Sequence, residues 1–306
     1  LLCGYLSEDV PLAGGLYLRR DLAEAAMQPI AATLNADTTH AAESVIAVAT
    51  SNMLANALPF IARLGIEPRE LTLMIYGGAG AIHGPLLADE IGIGRVVVPR
   101  VSSVFCAFGC LVSDLLYDVV RTVHGIALSP ELIRDTYAAL REEGRSWLAA
   151  QSTDIVPAFE HAADVRYAGQ SFEVNTPIDE TTTREGDPTA IAVAFHAQHQ
   201  RLYGHADPAA HIEILGLRVR VRGPLPRPPA IPAAAQQAVA KPAGKRRARF
   251  NRGWHETPIY RWSDLPPGWR ATGPAIVEQE TATVVIPPDF TVSLGPFGDL
   301  VLQRMR

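Results

Sequence analysis

Cysteine is scarce in this sequence, with three in 306 residues. That is too few for a disulfide framework and points to a reducing, cytoplasmic setting. Basic excess is absent too: 27 Lys and Arg face 32 Asp and Glu, for a net charge of −5. The electrostatic motive for a nucleic-acid or anionic-membrane partner is therefore missing. No uninterrupted run of about 20 apolar residues occurs, so no transmembrane helix is expected. No basic leader precedes Leu1, and the first residues read like protein interior. Neither GxGxxG nor a glycine loop closed by Lys-Ser/Thr is found, which removes the two commonest phosphate-binding fingerprints. No Ser/His/Asp set and no carboxylate pair stands out, so the sequence nominates no catalytic residue.

What remains is an ordinary globular composition, 48% hydrophobic and 19% charged. A chain of 306 residues exceeds the roughly 250–300 at which one core tends to divide, so two domains are expected. The chain is organised around residues 71–99. An apolar run, Leu71-Thr72-Leu73-Met74-Ile75-Tyr76, has buried-strand length. Gly77-Gly78-Ala79-Gly80 follows. Ile82, Leu86 and Leu87 mark a short helix ending near Gly92, and Val96-Val97-Val98 reads as a strand stopped by Pro99. This is a βαβ unit with a glycine turn at the helix start. Such a turn lets a ligand approach the backbone, and the helix N–H groups suit a phosphate or polar ligand. A tight turn with no ligand is the competing reading.

These residues carry a resemblance. GGAGAIHGPLLADEIGIGRVVVP is similar to the GGAGPxHA…A.ELGI..VVVP signature of the hydantoinase A/oxoprolinase family, which includes subunits of acetone and acetophenone carboxylases. Two departures, Ala81 for Pro and Gly84 for Ala, are expected to loosen the turn. The resemblance implies an α/β fold: a partial actin-like (hexokinase/actin) ATPase domain, then a mixed, mostly β C-terminal domain. It also implies that Gly77, Gly78, Ala79, Gly80 and His83 line the adenosine side of ATP. For His83 a packing or capping role is the alternative. Full family members are more than twice as long and begin with an Asp-Gly-Gly-Thr-like phosphate loop. None is present here, so the chain reads as a C-terminal portion or half of a split subunit.

Along the chain, Asp21 and Glu24 suggest a capping box. Leu22, Ala26, Ile30 and Leu34 make an apolar stripe, with Pro29 expected to kink the helix. A longer helix is predicted over 37–64, its core stripe being Val45, Ala49, Met53, Ala57 and Ile61, flanked by Val48 and Leu58 and ended by Gly65. Phe105, Ala107, Gly109 and Asp114 match a further family segment. Cys106 and Cys110 beside them read as buried small hydrophobes, and Asp114 as a solvated helix end. A strand over 117–124 and a helix over 130–150 follow. Residues 164–174 resemble the family's RYxGQ element. There Arg166 and Gln170 either contact a polar substrate or partner, or only pair with an acid and tie the turn. His196, His199, His205 and His211 lie close in sequence but lack recognised zinc spacing, so they read as surface or interface histidines and no metal is expected. Residues 223–244 form a Pro/Ala-rich connection. Short strands fill the last sixty residues, with 273–278 and 283–288 resembling the family's ending.

The expected domains are 1–125 and 126–306. The resemblance implies ATP and Mg²⁺ as cofactors and ATP-driven opening of a cyclic amide. Two alternatives stay open: a subunit of an ATP-dependent ketone carboxylase, or a non-catalytic chain docking an ATPase partner. The implied partners are a hydantoinase B-type subunit, a chain carrying the phosphate-loop half, and a lactam or ketone substrate. Because half of an ATPase core exposes sheet, Leu73, Ile75, Val96 and Val98 are expected to need a partner chain beside them.

Overall fold

The Asp37 side chain accepts the His40 amide at 2.6 Å and Gly65 turns left-handed at φ 63°. Between them runs the predicted long helix. In this computed structural model, which describes residues 1–151, 154–227 and 240–305, it is the second of two adjacent helices. α1 is Arg20–Leu34 and α2 is Thr38–Leu64. α1 runs through Pro29, and its cap is not Asp21, which sits in the first turn paired with Arg19. Then come β1 (Thr72–Met74), α3 (Gly80–Ile91), β2 (Arg95–Val98) and α4 (Phe105–Val112). The middle of the chain holds β3 (Leu115–Thr122), α5 (Pro130–Gln151), β4 (Ala158–Tyr167), β5 (Val174–Ile178), α6 (Glu180–Glu185), α7 (Pro188–Tyr203) and β6 (Ile212–Gly223). The last part is all strand: β7 (Gly244–Phe250), β8 (Gly253–Arg261), β9 (Arg270–Thr272), β10 (Ala275–Gln279), β11 (Ala282–Ile286), β12 (Phe290–Leu294) and β13 (Leu300–Arg304).

The contacts divide the chain otherwise than the expected break near residue 125. One unit is Leu1–Gly109 with Pro229–Arg306; the other is Cys110–Pro228. The strand-rich tail is thus no separate domain. β13 pairs antiparallel with β2, Leu302 facing Val96 and Leu300 facing Val98. The sheet order is β1-β2-β13-β12-β9, and β1 and β2 are parallel. A second sheet, β11-β10-β8-β7, lies in the same unit. Its strand β10 is buried on both faces. Ala275 and Val277 join the core with Val96, Val98 and Leu302, while Ile276 joins Cys3, Tyr5 and Phe250. Burial pushes the Cys3 thiol pKa up.

This arrangement corrects the expectation about exposed sheet. Val96 and Val98 are fully buried and Ile75 nearly so, because strands distant in sequence cover them. Leu73 is partly buried against the same core. What lies open is helical. On α1 the whole stripe Leu22, Ala26, Ile30 and Leu34 is exposed, while Ala23, Met27 and Ala31 are the less exposed row. On α2 the row packed against the cores is Ile46, Leu54, Ala57 and Ile61 with buried Thr50: Ala57 and Ile61 belong to the predicted stripe, whereas towards the helix start the packed row lies one position later, and Val45 and Val48 face out. Contrary to expectation, residues 38–63 are long and apolar enough to cross a membrane by length and composition.

The second unit is an antiparallel sheet, β3-β6-β4-β5, with α5 and α7 packed on it. Its core holds Tyr137, Leu140, Phe195 and Leu217, all fully buried. His199, expected at the surface or an interface, belongs to this core at 2% exposure, and its Nδ1 lies 2.8 Å from the His205 carbonyl. Part of the 223–244 connection, residues 228–239, lies outside the described residues.

Candidate functional site

The glycine turn is built by β1 below it and α3 beyond it. Gly77 takes φ 90°, a conformation costly for other residues. Its N–H donates to the Ser102 carbonyl at 2.6 Å, tying the turn to the segment after β2. Ala79 is the N-cap of α3 and supplies no side-chain cap. The first amides of a helix have no intrahelical acceptor, so α3 opens with donors directed at the turn. No Cβ neighbour lies within 4 Å of Gly77 or Gly80, and Gly78 has only the Thr281 carbonyl, 3.5 Å from where a Cβ would stand. Ser103 and Thr281 share a hydroxyl hydrogen bond, which brings the β10–β11 hairpin against the turn.

Polar atoms around this turn lack partners. His83 Nδ1, in the first turn of α3, is buried with no hydrogen bond. So is the hydroxyl of fully buried Ser102. Gln279 donates to the Arg100 carbonyl at 3.2 Å, but its Oε1 is also buried and unpartnered. Leaving such an atom unsatisfied costs about 1–3 kcal/mol each. Their grouping beside a backbone-donor turn fits a polar ligand. Residues 100 and 279 also line a cleft of ≈ 610 Å³ with Arg261, Ser263 and Glu280. Among the described residues neither Arg100 nor Arg261 makes an ion pair.

An aromatic group borders the turn as well. Tyr76, the residue before Gly77, is 49% exposed. Its ring lies 5.2 Å from that of Phe105, and Phe108 follows at 6.4 Å. Sequence reasoning missed this wall. Phe105 was legible only as a motif position, and nothing in the spacing 76 to 105 joins the two. An exposed aromatic face beside backbone donors can stack a base, a contact worth about 1–3 kcal/mol in nucleic-acid sites.

Gly84 does not loosen the turn. A Cβ there would stand 2.3 Å from Ile75 Cδ1. The missing side chain lets α3 sit directly on the residue after β1. Gly84→Ala is expected to lower stability by about 1–3 kcal/mol through overpacking. Ile75→Val removes the nearest of the clashing carbons and leaves Cγ2 at 2.6 Å, so the double variant should lose less than the sum of the two singles. Urea unfolding of the four proteins measures this. Strict additivity would remove the contact from the explanation.

The other candidates lie in the second unit or at its border. Arg166 Nε donates to Glu213 Oε2 at 2.7 Å, both half-buried, and this pairing holds the Glu213 carboxyl below its usual range. Gln170 Oε1 accepts the Tyr167 amide at 3.4 Å across the turn. Both geometries are those of the structural reading. His196 Nδ1 lies 3.0 Å from the Tyr167 hydroxyl, which accepts the Asp207 amide at 2.8 Å. Among the described residues no group of three His, Cys, Asp or Glu is placed to hold a metal. Cys106 and Cys110 are exposed, against expectation, because α4 has no buried residue to draw it inward. Asp114 is not merely solvated: its Oδ1 accepts the Leu225 amide at 3.3 Å.

Comparison with known proteins divides the chain along the sequence, between residues 119 and 129, and not as the contacts do. Residues 1–119 match the family described as Hydantoinase/oxoprolinase. Residues 129–303 match the Hydantoinase/oxoprolinase C-terminal domain. An uncharacterized protein of Methanocaldococcus jannaschii is 33% identical, covering 99% of this chain and 44% of that protein. The caprolactamase subunit alpha of Pseudomonas jessenii is 30% identical over 97% of this chain and 44% of its own length. The crystal structure of the ATP-dependent caprolactamase from that organism superposes with a TM-score of 0.72 at 28% identity, over 99% of this chain and 46% of that one. The nucleotide-free acetone carboxylase structure shares the fold, with a TM-score of 0.75 at 23% identity over 99% of this chain and 45% of that one. The chain thus spans less than half the length of the relatives it matches.

Proposed function

The chain belongs to the hydantoinase/oxoprolinase family, and on that premise we propose that it supplies the adenosine-side part of the nucleotide site in an ATP-dependent cyclic-amide hydrolase. The observation that carries this is the turn itself: Gly77–Gly80 ahead of an uncapped helix, with the buried, unpartnered His83 Nδ1 and Ser102 hydroxyl beside it. In this reading the backbone donors of residues 78–81 and the His83 imidazole meet polar groups of the nucleotide, and Tyr76 and Phe105 offer the base a face. Mg²⁺ arrives with the nucleotide, held by a lobe outside this chain.

ATP has a definite use in such an enzyme. An amide carbon resists water because its nitrogen donates electrons to the carbonyl. Transfer of the ATP γ-phosphoryl group to the carbonyl oxygen, with ADP leaving, would draw off that donation and open the carbon to water; the C–N bond of the adduct would then break as the nitrogen takes a proton, and hydrolysis of the resulting acyl phosphate would release phosphate and the ring-opened amino acid. Phosphoryl transfer depends on positioning and charge neutralisation more than on a dedicated acid and base, which fits a chain with no acid–base pair at the turn. The chain then works as one subunit beside a phosphate-loop lobe and a hydantoinase B-type partner. The free thiols of Cys3, Cys106 and Cys110 and the need for ATP fit the cytoplasm.

The test is ADP release by the assembled complex, offered lactams such as caprolactam and 5-oxoproline in one series and ketones with bicarbonate in another. Lactam-dependent release is expected. Release only with ketone and bicarbonate would give the carboxylase reading in its place, and release with neither would leave a docking subunit.

A further inference from the structure

We propose that the cleft beside the glycine turn holds the ring-opened product, an ω-amino acid whose carboxylate meets Arg100 and Arg261 and whose ammonium meets Glu280. The proposal rests on the reading of this chain as part of a cyclic-amide hydrolase, which supplies the class of ligand.

The cleft, of ≈ 610 Å³, lies wholly within the first unit and has the size of a small-molecule site. Leu6, Trp262 and Leu294 give it apolar walls. Its charges carry the information. Arg100, Arg261 and Glu280 all line it and all are exposed. Among the described residues none of the three belongs to an ion pair.

That freedom is built into the fold. In the parallel pairing of β8 with β10, Arg261 stands opposite Glu278. Glu278 accepts instead from Arg246 at 2.7 Å, and Arg246 is fixed further by the Gly4 and Tyr5 carbonyls. The cross-strand acid is thereby taken, and Arg261 keeps its charge uncompensated. Arg100 is held at its base and not at its head. Its carbonyl accepts Gln279 Nε2 at 3.2 Å, and its stem lies against Gly298, where a Cβ would stand 3.1 Å from Arg100 Cδ. The Gly298 carbonyl in turn accepts Trp262 Nε1 at 2.9 Å, from the residue after Arg261. One turn thus positions both arginines and occupies neither guanidinium.

Two guanidinium forks suit a carboxylate, and a free Glu280 calls for a cation on the same ligand. A nucleotide's phosphates suit the cleft less well. Glu278 and Glu280 line it too and balance its two arginines, so a run of several anionic groups would lie against two carboxylates. The proposed reaction makes the matching ligand. A simple lactam is neutral. Water added across its C–N bond leaves the carbon as a carboxylate and the nitrogen as an ammonium, joined by the methylenes of the former ring. A charge at each end and an apolar middle is the pattern of the cleft, and the closed ring has neither charge.

The test is calorimetric titration of the native assembly, without nucleotide, using 4-aminobutanoate, 5-aminopentanoate and 6-aminohexanoate. At least one should bind. Arg100→Gln and Arg261→Gln should each weaken that amino acid, and hexanoate, at least tenfold. Glu280→Gln should weaken the amino acid alike but leave hexanoate unchanged, because only the ammonium loses its partner. Affinity for caprolactam should not move in any of the three. Thermal unfolding should also stay put, since the three side chains are exposed and unpaired. In the wild-type assembly, saturating amino acid should shield Arg100 and Arg261 from phenylglyoxal, read by mass spectrometry. No binding by any of the three amino acids overturns the proposal, as does wild-type affinity in a folded arginine variant. Unshielded arginines overturn it even where a variant fails to fold. Arginine variants that weaken a non-hydrolysable ATP analogue tenfold and spare the amino acid would assign the pair to phosphate, and overturn it too. Binding is read without turnover, so an assembly that releases no ADP with lactams sinks the proposed function while the titration still decides the site.

Discussion

Purified alone, the chain is expected to release no ADP in response to lactam and to bind ATP only weakly. The turn at Gly77–Gly80 offers backbone donors and room, which on the proposed reading is one side of a nucleotide site. No Asp-Gly-Gly-Thr-like loop exists in the sequence to hold the β- and γ-phosphates. Among the described residues no cluster of carboxylates or imidazoles is placed to position a metal. Removing a single donor that stabilises transition-state charge commonly costs on the order of 10²–10³ in rate, and on the proposed reading the phosphate-binding groups are supplied from outside these 306 residues. Turnover should therefore fall below that of the assembly by more than about 10³. The measurement is steady-state ADP release by the monodisperse chain, then by the same chain after the phosphate-loop polypeptide is added. Brisk lactam-dependent hydrolysis by the lone monomer would sink both the one-sided site and the proposed division of labour.

In the assembly, Gly78→Val should weaken nucleotide binding at least tenfold, about 1.4 kcal/mol, and leave the fold intact. The separation of the two effects comes from the local geometry. Gly77 has a positive φ, so any side chain there strains the backbone, and a loss of affinity would be uninterpretable. Gly78 has no such φ. A Cβ on it would meet only the Thr281 carbonyl at 3.5 Å, an ordinary contact. The extra methyls of valine then occupy space that the chain leaves open and the ligand requires. Isothermal titration with a non-hydrolysable ATP analogue gives the affinity, and thermal unfolding confirms the fold. Wild-type affinity in a folded variant would show that no ligand approaches Gly78.

Local elements were legible because local rules governed them. Asp37 and Gly65 bracket α2 as cap chemistry demands. The βαβ unit appears as read, and α5, α7, β6 and most of the terminal strands lie within a few residues of expectation. β7 escaped notice because Lys245-Arg246-Arg247 gives its first half no apolar alternation. In the fold those charges are spent on specific partners: Lys245 on Glu256 at 2.6 Å, Arg246 on Glu278 at 2.7 Å, and Arg247 over the Trp254 ring. The division into units was illegible for a different reason. Pairing of Val96 with Leu302 spans two hundred residues, and neither strand's pattern names the other. Periodicity likewise gave α1 an apolar side without saying which of its two apolar rows the body would cover. At the candidate site, the glycines and His83 carried a motif; Ser102 and Tyr76 did not, since being buried without a partner or standing beside another ring is a property of the fold alone.

The pairing of β13 with β2 has a consequence for how the molecule is made. The second unit is one uninterrupted stretch of chain, while the first is assembled from both ends of it. During synthesis residues 110–227 can fold as soon as they emerge, whereas the central strand of the other unit's five-stranded sheet, β13, is translated about two hundred residues after the strand β2 that it pairs with. Closing so long a loop is slow, and sheet that waits for it stays sticky. Nascent chains stalled before residue 300 should hence recruit chaperones through Val96 and Val98, and stop codons placed between residues 290 and 300 should yield a protease-resistant fragment of the second unit and no stable first unit.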